Sequence, residues 1–206
     1  MQATETQKIR RLAADYRAST GLPLLLVDVD GRASWRLGDC TLCGRFAGPR
    51  RREALCRGHC RRSIEESFRW GEPFISLCPF GLVTFAVPLS RDRGLCGGLL
   101  SGFSIFPQMA SDMREEVLEN ARRLGLPASA PRPRMHFREV STEGVRRNAR
   151  LLFELTAAYG MNDVEQIEES HARSVQQFSI ANYLEEAREG RKDLITSLAS
   201  MENEII

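Results

Sequence analysis

At 206 residues with 42% apolar content and a formal charge of +2, from 29 lysines and arginines against 27 aspartates and glutamates, the chain is long enough for one packed core with appended helix. That near balance gives no obligatory attraction to nucleic acid or to an anionic membrane. A polar, charged start (MQATETQKIRRLAADYR) and the lack of any run near the roughly 18 apolar residues of a membrane span predict a cytoplasmic protein, in which six cysteines serve as thiols or metal ligands rather than disulfides.

Thr4 to Gln7 has capping-box spacing, Ile9, Leu12, Ala13 and Tyr16 share one helical face, and Gly21 can stop that helix. Leu22 to Val29 meets the turn pair Asp30-Gly31 and returns as Ala33 to Leu37, which predicts a hairpin. After a stretch rich in glycine, cysteine and arginine, Arg52 to Trp70 places Cys56, Cys60, Ile64 and Phe68 at helical spacing, stopped by Gly71 and Pro73. Glu72 to Leu77, Leu82 to Leu89 and Leu95 to Phe106, parted by turn signals at Pro79 to Gly81 and Asp92 to Gly94, predict a three-stranded meander. Ser111 can cap a helix with Met113, Val117, Ala121 and Leu124 on its apolar face, and PASAPRPR follows as a stiff spacer. Val145, Ala149, Leu152, Phe153 and Thr156 mark a further helix. Asn162 is placed to cap a longer one carrying Val164, Ile167, His171 and Phe178, and Leu194, Leu198, Met201 and Ile205 add another helical stripe. The expected class is α+β: a PAS-like antiparallel sheet with helices on one face, followed by C-terminal helices.

The cysteines are the chemically loaded feature. Cys40-Thr-Leu-Cys43, Cys56-Arg-Gly-His-Cys60 and Cys78 bring five thiols from a loop, a helix and a strand end into one short segment. Thiolates so spaced can converge on one zinc ion or one iron–sulfur cluster, each needing four. The same residues also pack as small hydrophobes when buried. Cys96, inside an apolar strand, reads as core.

The segments Cys43-Gly-Arg-Phe, Leu-Cys56-Arg, Arg69-Trp70-Gly-Glu-Pro-Phe, Leu-Cys78-Pro-Phe-Gly-Leu82, Ala86-Val-Pro-Leu and Gly97-Gly98-Leu-Leu-Ser-Gly102 resemble the PocR ligand-binding (sensory) domain. The resemblance runs from about Glu5 to Glu168 and implies a division into a ligand-sensing domain, 1–168, and signalling or dimerisation helices, 169–206. It also implies a PAS-like module that senses small molecules, hydrocarbon derivatives such as diols among them, ahead of a DNA-binding or histidine-kinase output. Two departures are informative: Pro79 stands where many members follow the last cysteine with histidine, and Cys60 stands where many carry an acidic residue. The latter points to Cys43, Cys56, Cys60 and Cys78 as a four-sulfur set, with Cys40 as a substitute for any of them.

In the last strand Gly97, Gly98, Ser101 and Gly102 remove side-chain volume, leaving room for a ligand or for close helix packing. Trp35, Trp70, Phe74, Phe80, Phe85 and Phe103 can wall such a cavity around Gly98 and Gly102, with Gln108 offering a hydrogen bond. The arginines at 50–52, 57, 61 and 62 read as a solvated helix face, though guanidinium groups also match phosphate and can offset thiolate charge. No Ser-His-Asp arrangement, P-loop, dinucleotide fingerprint or paired carboxylates stand out, so no catalytic residue is expected. The resemblance thus implies a sensory domain for a small apolar or diol-like ligand coupled to an output partner, and the apolar stripe of the terminal helices predicts a homodimer. The alternatives are a metal or redox sensor using the thiols and a zinc-stabilised nucleic-acid-binding module.

Overall fold

A computed structural model describes residues 3–38, 49–124 and 137–203 of the chain. Helix α1 (Ala3–Thr20) ends where expected, at Gly21, whose φ of +67° only glycine adopts without strain and whose N–H returns to Arg17 O at 2.7 Å. Strands β1 (Leu24–Val27) and β2 (Ala33–Leu37) form the expected hairpin. Its turn is tied by Asp28, whose Oδ1 accepts from the N–H groups of Asp30 (3.0 Å) and Arg32 (2.8 Å). Helix α2 (Pro49–Trp70) then leads into β3 (Phe74–Leu77), β4 (Val83–Arg91) and β5 (Gly94–Ile105). Asp92 and Arg93, at φ +49° and +62°, make the tight β4–β5 turn that matches strand twist.

A short 3₁₀ turn (Pro107–Met109) precedes α3 (Ala110–Arg123). The proline-rich spacer lies outside the described residues, and beyond it comes a strand absent from the sequence reading, β6 (Arg138–Glu139), parallel to the end of β5. Helix α4 (Thr142–Ala158) is capped by Ser141, which accepts from Gly144 N. Helix α5 runs unbroken from Val164 to Asn203, so the two helical stretches read at the end of the chain are one.

The sheet order is β2-β1-β5-β4-β3, antiparallel throughout that path. The α+β class is as expected, but helices cover both faces of the sheet rather than one. On one face Ile9, Leu12 and Tyr16 of α1, Met113 and Val117 of α3 and Leu152 of α4 enclose Phe80, Phe85, Val87 and Leu99. On the other, Cys60 and Ile64 of α2 lie on Val27, Ala86 and Leu100. Double coverage explains why β4 is buried at every residue from Val83 to Ser90 instead of alternating. Each large apolar side chain so enclosed contributes on the order of 1.5–3 kcal/mol. Pro88 is tolerated because β3 pairs with β4 only as far as Ala86, so at Pro88 the strand has β5 alone beside it.

Candidate functional site

Three of the four thiols expected to form a set come together. Cys60, one helical turn after Cys56, is buried under α2, and Cys78 is buried at the end of β3. Burial, and then the neighbouring Cys56 and Cys78, push the Cys60 thiol up to about 12, while Arg36 of β2 acts in the opposite direction. Among the described residues, no group of three histidine, cysteine, aspartate or glutamate side chains is arranged to hold a metal ion. Cys40 and Cys43 lie outside the described residues. Cys96 departs from expectation: it is exposed near the β4–β5 turn, its Sγ 3.6 Å from Gly94 O.

The cavity expected around Gly98 and Gly102 is closed. A Cβ on Gly98 would lie 2.3 Å from Ile64 Cγ2 and 2.7 Å from Val87 O, so the volume that the glycine gives up is taken by α2. Gly102, at φ +97° and with a virtual Cβ 2.8 Å from Val83 O, belongs to a β-bulge with Phe103 at φ +53°. Phe80 and Phe85 are wholly inside the core, and Trp35 and Phe103 pack on its margin. Phe74 is half-buried on β3. Trp70 closes α2, donating its Nε1–H to Glu66 Oε2 at 2.7 Å beneath the Arg69 guanidinium. Four of these six aromatics lie in or pack on one core, and none of the eight expected pocket residues lines the cleft between α1, the β1–β2 hairpin and the α4–α5 junction.

That cleft, about 480 Å³, lies between the start of α1, the β1–β2 hairpin, the end of β4 and the α4–α5 junction. Ser90 joins two of its walls. The Ser90 N–H donates to Met161 O (3.1 Å) and Asn162 Oδ1 (3.2 Å), and Ser90 Oγ accepts from Asp163 N (3.0 Å). Asp163, not Asn162, caps α5, its Oδ1 accepting from Gln166 N. Asn162 is instead buried and donates to Thr156 Oγ1 at 2.6 Å. Arg93 completes the clamp with ion pairs to Glu165 and Glu169. The β4–β5 hairpin therefore grips the first turns of α5, a role that no sequence motif announced.

Arg57 and Arg61 form intramolecular ion pairs with Asp30 and Glu65 on a solvated face, as expected. His59 meets β4, its Nε2 3.1 Å from Thr84 Oγ1, and burial, then Arg62, lowers its pKa. His171, read in the sequence as part of the helical stripe with Val164, Ile167 and Phe178, is exposed. No helix among the described residues is long and apolar enough to cross a membrane.

The family described as the sensory domain found in PocR matches residues 2–162, ending just before α5. No curated protein matches the chain. Among solved structures, a C-terminal domain from a Vibrio cholerae protein assigned as a transcriptional regulator is 12% identical, covering 59% of this chain and 97% of that one, with a TM-score of 0.34, too slight a likeness to bear on function.

Proposed function

The chain belongs to the family of sensory domains found in PocR, and from that premise we propose that it senses a small, largely apolar organic molecule and reports its state through α5. The observation that carries this reading is the joint at Ser90, where the sheet holds the first turns of a 40-residue helix by backbone and side-chain bonds together. A ligand that favours one setting of that joint over another changes how α5 is presented. The output is a DNA-binding or kinase module served by α5, with two copies of the chain paired along that helix. The domain binds rather than catalyses.

A second reading is favoured by the nearness of Cys56 and Cys78 to Cys60, whose pKa they raise after burial. With Cys43 they supply four soft thiolate donors for a zinc ion or an iron–sulfur cluster, which would tie the loop before α2 to the sheet. In that case the bound metal, or its oxidation, is itself an input.

One measurement tests both: a native mass spectrum of the full chain, purified anaerobically, with metal analysis of the same sample. We expect a retained or exchangeable small molecule and near-stoichiometric zinc or iron. Metal-free protein whose melting temperature ignores strong chelators returns the thiols to core packing. Protein that neither retains nor responds to any small molecule removes the sensing assignment.

A further inference from the structure

Helix α2 is held on the sheet more lightly than the helices of the other face. Among the described residues its buried apolar contact is the small cluster of Val27, Cys60, Ile64, Ala86 and Leu100, against the extended core that α1, α3 and α4 share. Much of what it presents to β3 and β4 is polar and loosely bonded. His59 Nε2 stands 3.1 Å from Thr84 Oγ1, and Ser63 Oγ stands 3.4 Å from Ser76 Oγ, at the outer limit of a hydrogen bond. An element with few buried apolar contacts is the one that shifts at least cost.

The end of the same helix bears on α5. Gly71, at φ +68°, closes α2 with its N–H on Ser67 O at 3.0 Å, and Ser67 Oγ ties the turn by donating to Glu72 O at 2.5 Å. A Cβ on Gly71 would lie 2.5 Å from Ile167 O and 2.8 Å from His171 N, so the turn rests on the backbone of α5 with no side chain between them. The stretch of α5 that it touches buries Gln166, Ile167 and Ser170, and Gln166 Oε1 is buried without a hydrogen bond. A seat that leaves a buried oxygen unsatisfied is short of its best stability.

We propose that α2 is the lever of the domain: its shaft is lightly held on the sheet and its end, at Gly71, bears on the backbone of α5, so that a displacement of α2 is delivered directly to the output helix. The inference rests on the reading that α5 reports the state of the domain, and it adds a second mount to the Ser90 joint. The two mounts grip successive turns, Asp163 at one and Ile167 to His171 at the other. With Ser90 holding the first, a push at the second tilts α5 about that joint. Cys56 and Cys60 lie on the same helix, so any input that resets α2, at the thiols or at the sheet, reaches α5 by one route.

The test is hydrogen exchange on the full chain, read by mass spectrometry at the base of α5 (164–174) and, for reference, at α4 (142–158). Gly71→Ala should speed exchange at the base of α5 by at least about tenfold. Its control is Gly21→Ala, which puts alanine in the same left-handed conformation (φ +67°) at the end of another helix but meets only the flexible end of Arg138. That control should leave α5 as in wild type. Ile64→Ala, which loosens α2 on the sheet, should speed exchange at α5 several-fold more than at α4 on the other face. If Gly71→Ala and Gly21→Ala act alike on α5, or if Ile64→Ala affects both helices equally, the lever is overturned. Should Gly71→Ala fail to fold, the Ile64→Ala comparison alone decides. Whether a small molecule binds is decided separately by the native mass spectrum, so loss of the lever leaves the sensing reading and the Ser90 joint in place.

Discussion

Gly98 is where a helix meets the sheet with no side chain between them. Replacing it by alanine puts a Cβ 2.3 Å from Ile64 Cγ2 and 2.7 Å from Val87 O, an overpacking that costs roughly 1–3 kcal/mol. Ile64→Ala alone removes a fully buried side chain and costs about 2–5 kcal/mol. Because the first change needs the space that the second creates, the double variant should be more stable than the sum of the two losses predicts, by at least about 1 kcal/mol in urea melts. Strict additivity would mean that the carbonyl of Val87, not Ile64, sets the limit. Tyr16 makes a second residue-scale case. Its buried hydroxyl lies near Ser101 and Thr20 but makes no well-formed hydrogen bond. Both neighbours donate elsewhere, Ser101 Oγ to Pro23 O at 2.7 Å and Thr20 Oγ1 to Tyr16 O at 2.9 Å. Burial above all pushes its pKa from 10.0 to about 12. The folded state thus holds the phenol proton more tightly than the unfolded chain does, so this contribution to stability is complete below about pH 10 and is lost as pH rises from there toward 12. Tyr16→Phe should flatten that alkaline loss, measured as stability against pH, and change stability at neutral pH by less than about 1 kcal/mol. An unchanged alkaline limb would assign the loss to another group.

At the scale of elements, what was legible in the sequence is what local chemistry dictates. Helix α1 could be bounded because its apolar spacing and Gly21 act within the helix itself, and the β1–β2 turn because Asp30-Gly31 supplies its own geometry. The meander was readable from its turn signals for the same reason. The errors arise where a distant partner decides. Small residues in β5 announced missing volume, but only the placement of α2 shows that Ile64 fills the volume at Gly98. Asn162 looked like a cap, yet β4 draws it inward to Ser90 and Thr156, and the next residue, Asp163, takes the capping role. Coverage of the second sheet face was hidden because α2 presents Ser63, Ser67 and His59 to the sheet alongside Ile64. The stripe of Cys56, Cys60, Ile64 and Phe68 was legible, but which face of the sheet it covers was not. Cys96 misled in the opposite sense, since an apolar run continues past the last point at which helices cover the sheet. Lys8 and Met161 carry no motif at all. The fold brings them together along one cleft between α1 and the α4–α5 junction.

For the molecule as a whole, the decisive feature is how much of α5 is exposed among the described residues. Ile167 and Ser170 are buried at its base, but from Val175 to Glu185 every residue is exposed, including Phe178 (67%), Ile180 (52%), Tyr183 (70%) and Leu184 (61%). Side chains of this size left in water mark an interaction surface rather than a finished fold. In the sequence, Ile180, Leu184, Ala187, Leu194, Leu198, Met201 and Ile205 follow alternating steps of four and three, broken at Arg191 alone. That is the spacing a two-stranded coiled coil uses, and a second copy of this chain would offer the same stripe. The full chain should therefore be a dimer in sedimentation experiments. Ile180→Asp combined with Leu184→Asp should weaken the dimer by at least about a hundredfold, because two carboxylates would have to be desolvated in the seam without partners. The melting temperature of the sensory domain should hold in that variant, since neither side chain is buried within the protomer. Removing 190–206 should also weaken association, by deleting the second half of the seam. A chain that stays monomeric at high concentration, or a dimer that ignores both changes, would mean that α5 is covered by a different protein. Pairing would also give the ligand something to act on: two helices held at their bases by two Ser90 joints can change their relative setting only together, which turns a small shift in one copy into a symmetric change along the seam.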